Sequence, residues 1–325
     1  MAVSVDMEFL RRFEAGLDPL HPERSAIPAQ VLGYGEISTA IASAAGNPAL
    51  AYKRMPLFRN EAEAEAYAEL YEAYTAVLAE AGIQVAPGQI VWLPQTNGRG
   101  VVVYLAQQKL PAQTIAPAVL AHLEPAAALD LFAAILDQFD KVFQFNAANR
   151  GTLEIGFDGQ LSNWAVEGFD PVEDRLPAPV RLIYFDTSSP LLRRNGQEQL
   201  NAEIFLRSAP FFLVWLLKRL YMEDVVTRYY SLRQVAIDLL ANLYKEQRPE
   251  LIPDLAAMCN ERWADVGEEG RNGRFPPITL AEVQAYYRED VTIWRLYLGA
   301  RRLDRALHRL SRQPYPHILP GKIKR

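Results

Sequence analysis

The segment from Gln30 to Pro56 constrains the fold more than any other part of the chain. Gln30-Val31-Leu32 and Ser38-Thr39-Ala40-Ile41 read as strands on either side of Gly33-Tyr34-Gly35. After the turn Gly46-Asn47-Pro48, Ala49-Leu50-Ala51-Tyr52-Lys53-Arg54-Met55 reads as a third strand ended by Pro56. Glycines that lead from strand to strand argue against a P-loop or dinucleotide-binding unit, in which the glycine turn opens a helix whose N-terminus holds phosphate.

Asn60 to Ala81 reads as a long helix, with Asn60 as its cap, Glu61, Glu63 and Glu65 in its N-terminal turns and Gly82 at its end. Its apolar stripe runs through Tyr67, Leu70, Tyr71, Tyr74, Val77 and Leu78. Ile90–Pro94 and Val101–Leu105 then form a hairpin around Asn97-Gly98. Five strands and one long helix therefore precede residue 106, with a short amphipathic helix over Val5–Leu17 before them. Beyond them the periodicity turns helical, over Ala128–Asn146, Leu200–Met222, Val225–Gln247, Ile252–Trp263 and Thr279–Leu310. Thr279 and Glu282 form a capping box for the last of these. Gly267–Pro277 reads as a loop, Lys322–Arg325 as a frayed basic end, and Phe211, Phe212, Trp215, Tyr221, Tyr229, Tyr230, Tyr286, Tyr287, Trp294 and Tyr297 as core aromatics.

Between the helical segments, Gly156-Phe157-Asp158-Gly159-Gln160-Leu161-Ser162-Asn163 places an Asn five residues after an Asp. Leu182-Ile183-Tyr184-Phe185-Asp186 ends an apolar strand on a second Asp. Two readings stand side by side. Asp158-Gly159 is a favoured two-residue hairpin turn between strand-like Leu153–Ile155 and Trp164–Val166. Alternatively, the carboxylates and the amide form a catalytic loop and metal-holding group, with one carboxylate to orient an attacking hydroxyl.

Taken in order, Gly33-x-Gly35 with Ser38, Ala51-Tyr52-Lys53, the long helix, Asp158…Asn163 and Asp186 resemble the protein-kinase-like superfamily, most closely its aminoglycoside phosphotransferase and choline kinase branch. The resemblance covers roughly residues 30 to 190 by motif. It implies an α+β, bilobal fold: a small N-lobe over residues 1–106, with a five-stranded antiparallel sheet and one long helix, and a larger helical C-lobe over 107–325. It implies ATP and Mg²⁺ as cofactors, with Gly33, Gly35, Ser38 and Lys53 on the phosphates and the backbone around Gln107 and Gln108 at the adenine. Asp158 would be the catalytic base, and Asn163 and Asp186 the metal ligands. Glu69, with Glu65 and Glu72 as alternatives, would orient Lys53. The chain departs from the family at Gly156, where a His is usual, at Thr187-Ser188-Ser189 after Asp186, and in the Pro-rich stretch Glu167–Val180.

A formal charge of −5 supplies no basic field for nucleic acid. The single Cys259 excludes an internal disulfide, and His21, His122, His308 and His317 lack ligand spacing. The N-terminus lacks signal-peptide features, and the apolar run Pro210–Leu217 is too short to span a bilayer, so a cytoplasmic chain without membrane partners is expected. The reading is a phosphotransferase acting on a hydroxyl or amine of a small metabolite. A pseudokinase that binds nucleotide without turnover and an unrelated α+β interaction protein are the alternatives.

Overall fold

The computed structural model describes residues 3–35, 37–95, 100–173, 175–201, 203–208, 210, 226–266 and 275–321. Strands β1 (Gln30–Tyr34), β2 (Thr39–Ala42), β3 (Leu50–Phe58), β4 (Gly88–Pro94) and β5 (Val101–Gln108) form an antiparallel sheet in the order β1-β2-β3-β5-β4. Helix α2 (Glu61–Glu80) is inserted between β3 and β4; Asn60 caps it by accepting a 2.9 Å bond from the Glu63 amide. Gly82, at φ 82°, turns the chain out of the helix through a conformation that costs a residue with a Cβ more than it costs glycine.

Both faces of the sheet are covered at its centre, and β5 shows it directly: Val101 to Gln107 are all buried, an unbroken apolar run through Ala106, whereas the β1 edge has no buried residue. Because side chains alternate along a strand, Val103 and Leu105 pack toward Tyr67 and Tyr71 of α2. Val102, Tyr104 and Ala106 meet Phe9, Leu10 and Phe13 of α1 (Met7–Ala15), together with Ile318 near the C-terminus. The same alternation on β3 sends Lys53 and Met55 to the α2 side and Tyr52 and Arg54 to the other.

Arg54 is buried there with Glu14 of α1. Its Nε and Nη2 donate to the two carboxylate oxygens at 2.8 and 2.6 Å, its Nη1 donates to the Pro316 carbonyl at 2.6 Å, and the Tyr104 hydroxyl also donates to Glu14. Burial opposes the charge, but the hydrogen bonds and negative charge of Glu14 outweigh it and raise the guanidinium pKa above its ordinary value. One ion pair thus ties α1, the sheet and the C-terminal segment together.

The remaining chain is mostly helical. It comprises α3 (Ala116–Leu120), α4 (Pro125–Ala148), α5 (Glu203–Leu206), α6 (Leu232–Lys245), α7 (Ile252–Arg262) and α8 (Leu280–Leu310), with short strands β6 (Leu153–Ile155), β7 (Trp164–Val166), β8 (Leu182–Tyr184), β9 (Leu192–Arg194) and β10 (Gln197–Glu198). Its core gathers Phe139, Phe157, Trp164, Tyr184 and Trp263. The expected helix over Val225–Gln247 is interrupted: Arg228–Tyr230 forms a tight 3₁₀ turn, and Ser231 starts α6 by accepting the Gln234 amide at 3.4 Å. The capping box of Thr279 and Glu282 is present on α8. The Asn97-Gly98 turn, Phe211, Phe212, Trp215 and Tyr221, most of the helix expected over 200–222, the start of the 267–277 loop and the tail 322–325 lie outside the described residues. No helix among the described residues is long and apolar enough to cross a membrane.

Because Glu14 is buried, replacing its partner leaves an uncompensated charge. Arg54→Met is expected to lower unfolding free energy by about 3–5 kcal/mol in urea titrations, while adding Glu14→Gln should recover part of that loss. Fully additive losses would show that the two side chains do not act as a pair.

Candidate active site

The Gly156–Asn163 segment is not a hairpin. β6 pairs with β9 and β7 pairs with β8, so the strands on either side of Asp158-Gly159 diverge into different sheets. Gly156 and Phe157 continue the extended path, donating to Leu191 O and Tyr229 O at 2.8 Å each. Phe157 then anchors the loop among the rings of Phe139, Trp164 and Tyr184, with centroids 5.3–5.8 Å away. A Cβ on Gly159 would stand 2.2 Å from the Phe139 ring, so only glycine lets the chain pass. Leu161–Asn163 forms a 3₁₀ turn, and the Asn163 amide closes the loop by donating to Asp158 O at 3.1 Å.

The second carboxylate is brought to this loop by backbone pairing. Phe185 N donates to Asn163 O at 3.1 Å, and the Tyr184 hydroxyl donates to Asp158 O at 3.1 Å, which sets Asp186 beside the loop. Lys53 reaches across from β3: its Nζ donates to Asp186 Oδ1 at 2.7 Å and to Phe185 O at 3.1 Å. The Ser188 hydroxyl donates to the same carboxylate oxygen at 2.9 Å. The structure therefore unites Lys53, Asp158, Asn163 and Asp186, contributed from positions more than a hundred residues apart.

The two carboxylates have opposite electrostatics. Burial pushes Asp186 up, but the Lys53 charge and hydrogen bond, with Ser188, hold its pKa below the ordinary carboxylate value. Asp158 is pushed well up, first by burial and then by the negative charges of Asp238 and Asp186. Asp238, on α6, is raised as well, chiefly by burial. It accepts the Gln160 side-chain amide at 3.1 Å, while Asn242, one turn along α6, accepts the Leu161 amide at 3.1 Å. These α6 groups buttress the loop from below.

Several expectations need correction. Glu69, Glu65 and Glu72 are exposed and do not orient Lys53. The buried positions of α2 include Ala64, Tyr67, Tyr71, Tyr74 and Leu78, and Glu69 lies two residues from both Tyr67 and Tyr71, on the opposite side of the helix. In place of an ionic link, α2 presents tyrosines: the Tyr67 hydroxyl donates to Ser188 O at 2.8 Å, and the Tyr74 hydroxyl donates to Gly156 O at 3.0 Å. Gln107 and Gln108 are the end of β5 rather than a free hinge. The Gln108 and Lys109 amides donate to Pro87 O and Ala49 O at 2.9 and 2.8 Å, and the buried Gln107 side chain lies 3.4 Å from Thr187 Oγ1. At Gly156 a Cβ would stand 2.5 Å from the Leu191 Cβ and 2.9 Å from the Tyr230 ring, so the position leaves no room for His.

The glycine turn is tight, with Gly35 N donating to Ser38 O at 2.9 Å, and the space over Gly33 is open to 4 Å. For a divalent cation the donors fit in kind: Lys53 and Ser188 share Asp186 Oδ1, which leaves the other carboxylate oxygen, and the Asn163 side-chain oxygen has only a 3.5 Å contact with Ser162. Among the described residues no group of three His, Cys, Asp or Glu could hold a metal. A small hard cation held here would draw its other ligands from phosphate and water.

Residues 21–306 match the model of DUF6206, described as a family of unknown function, and the chain belongs to that family. No curated protein matches the chain. Among solved structures, WaaP in complex with acyl carrier protein is similar at 15% identity and a TM-score of 0.33, covering 78% of this chain and 99% of that one. A mutant of aminoglycoside 2'-phosphotransferase-IIIa in its GDP complex is similar at 13% identity and a TM-score of 0.30, covering 78% and 96%.

Two outcomes are expected of the loop. A carboxyl group whose pKa is raised by folding contributes stability that is complete below its unfolded value, about 4, and is lost as pH rises through the folded value. Asp158→Asn should therefore raise the melting temperature by an amount that grows between about pH 5 and about pH 8 in the ligand-free protein; a difference that is flat or shrinks with pH would contradict the assigned electrostatics. Gly156→Ala should destabilise by about 1–3 kcal/mol through overpacking, measured by the same unfolding experiment.

Proposed function

We propose that the chain is an ATP- and magnesium-dependent phosphotransferase of bilobal kinase-like design, with residues 1–106 as the small lobe and 107–325 as the helical lobe. The observation that carries this reading is the 2.7 Å contact between Lys53 and Asp186 beside the Asp158–Asn163 loop. A cation, a carboxylate and a second carboxylate of raised pKa meet where the sheet faces the helical part. The glycine turn of Gly33, Gly35 and Ser38 joins β1 to β2, and β2 pairs with β3, with Ala40 opposite Lys53.

Lys53 holds the nucleotide phosphates, and its bond to Asp186 keeps both groups oriented until the phosphates arrive. Asn163 and Asp186 hold the cation, which when bound neutralises charge on the phosphate oxygens. Asp158 orients the acceptor hydroxyl or amine and takes its proton; its raised pKa brings it nearer the proton affinity such a base needs. Substitution of Gly156 for the usual His leaves the loop held by Phe157, Tyr74 and the Asn163 amide instead. Adenine is read by the backbone beyond Lys109, because the amides of Gln108 and Lys109 are engaged. The acceptor is a small metabolite, the setting is cytoplasmic, and neither nucleic acid nor membrane is a partner.

One observation favours nucleotide binding without turnover. Lys53 already neutralises Asp186, and no glutamate of α2 draws the lysine away. The two readings separate experimentally. Thermal shift with ATP and magnesium should stabilise the wild type and fail in Lys53→Ala and Asp186→Ala. Turnover against a panel of hydroxyl and amine acceptors should fall about 10²–10⁴-fold in Asp158→Asn with nucleotide binding retained. Binding without any turnover would favour the pseudokinase, and no stabilisation at millimolar ATP would sink both.

A further inference from the structure

The face of the sheet opposite Lys53 carries a second feature. Behind Arg54, a cavity of about 1080 Å³ opens between the Leu17–His21 loop, the last turns of α8 and the Gln313–Pro316 segment. Arg302, Arg305 and Arg309 line it from α8, and Arg312 joins them from the turn beyond the helix. The spacing of three and four residues puts the helical three on one stripe, about 10 Å long.

These charges are poorly balanced. The cavity has two carboxylates: Glu14, which is paired with Arg54, and Asp18, whose Oδ1 accepts the Leu20 amide at 2.8 Å. Arg305, Arg309 and Arg312 form no ion pair among the described residues, and Arg302 donates only to backbone carbonyls, Gly321 O at 2.6 Å and Pro320 O at 3.5 Å. Asp304, the acid within the stripe's sequence, is 3.6 Å from the His308 ring. Like charges three and four residues apart repel. The helix dipole accounts for a cation in the last turn, such as Arg309, but not for Arg302 and Arg305 further from the end.

We propose that this cavity binds a small polyanion carrying two or more phosphate groups. One phosphate cannot engage guanidinium groups spread over two helical turns, whereas a chain of phosphates can, through bidentate contacts. The volume slightly exceeds the usual range of small-molecule sites, about 300–1,000 Å³. The site is separate from the Lys53 cleft, since Arg54 and Lys53 leave β3 on opposite faces.

The test is calorimetric titration of the full chain with sodium tripolyphosphate at low salt, with orthophosphate and a poly-glutamate peptide as comparisons. Tripolyphosphate should bind saturably and more tightly than either comparison. Arg305→Ala/Arg309→Ala should weaken it roughly tenfold or more, as expected for two lost charge-assisted bonds, while the surface control Arg181→Ala leaves it unchanged. Should the double variant misfold, Arg309→Gln alone, at an exposed side chain, should weaken binding in the same direction. Absence of binding, tighter binding of the acidic peptide, unchanged affinity in Arg305→Ala/Arg309→Ala, or equal loss in Arg181→Ala would each overturn the proposal.

Discussion

The pleat of β3 is the constraint on which the rest depends. Lys53 and Arg54 are adjacent, both charged and both largely withdrawn from water, and a strand must send them to opposite faces. Neither can be buried unpaired, because an isolated charge in the interior is far costlier than any single contact it could replace. Each therefore requires a partner delivered from elsewhere in the chain. Asp186 reaches Lys53 from the segment after β8, and Glu14 reaches Arg54 from α1, with Pro316 O completing its contacts. The sheet is thus fixed from both sides by two ion pairs one residue apart, and the candidate site is one of those two fixings.

This explains why the helix facing the site carries tyrosines. A glutamate on the inner face of α2 would add a buried negative charge to a region that already holds Asp158, Asp186 and Asp238, and each raises or responds to its neighbours. A tyrosine hydroxyl donates a hydrogen bond without adding charge, and burial raises the phenols of Tyr67 and Tyr74 far above neutrality, which keeps them as donors. The hydroxyls of Tyr67 and Tyr74 bind the segments that carry Asp186 and Asp158, so α2 positions the acids without touching their carboxylates.

What could be read from sequence divides along the range of the forces involved. The Asp158–Asn163 spacing, the Asn60 cap and the Thr279–Glu282 box are legible because each is local, whereas Lys53 and Asp186 stand out in the sequence only through the order of motifs in the resemblance. Distance along the chain beyond Lys53 points to Glu69, whereas the stripe through Tyr67, Tyr71 and Tyr74 puts that residue on the far side of the helix. The pairing of β6 with β9 and of β7 with β8 joins segments separated by long loops, and no local rule distinguishes it from a hairpin at Asp158-Gly159. Asp238 and Asn242 carry no signal beyond the polar positions of an amphipathic helix. In sequence Gly156 is a departure from the resemblance; the closeness of Leu191 and Tyr230 to its Cα explains it, since a Cβ there has no room.

The covered outer face of the sheet follows from the same economy of charge. Once Arg54 is turned away from the site, something must enclose it, and α1 with the segment after α8 does so while burying Phe9, Leu10, Phe13 and Ile318 against Tyr104. Helix α8 packs on α6 at one end and delivers Tyr315 to Leu319 to the sheet at the other, across about 46 Å of helix. The sheet is consequently joined to the helical part covalently by the chain after β5 and non-covalently by the segment after α8. Displacing the sheet would move Arg54 relative to Pro316 as well as Lys53 relative to Asp186. Lys53 and Arg54 are consecutive on β3, so the contacts on the two faces of the sheet hang on one strand.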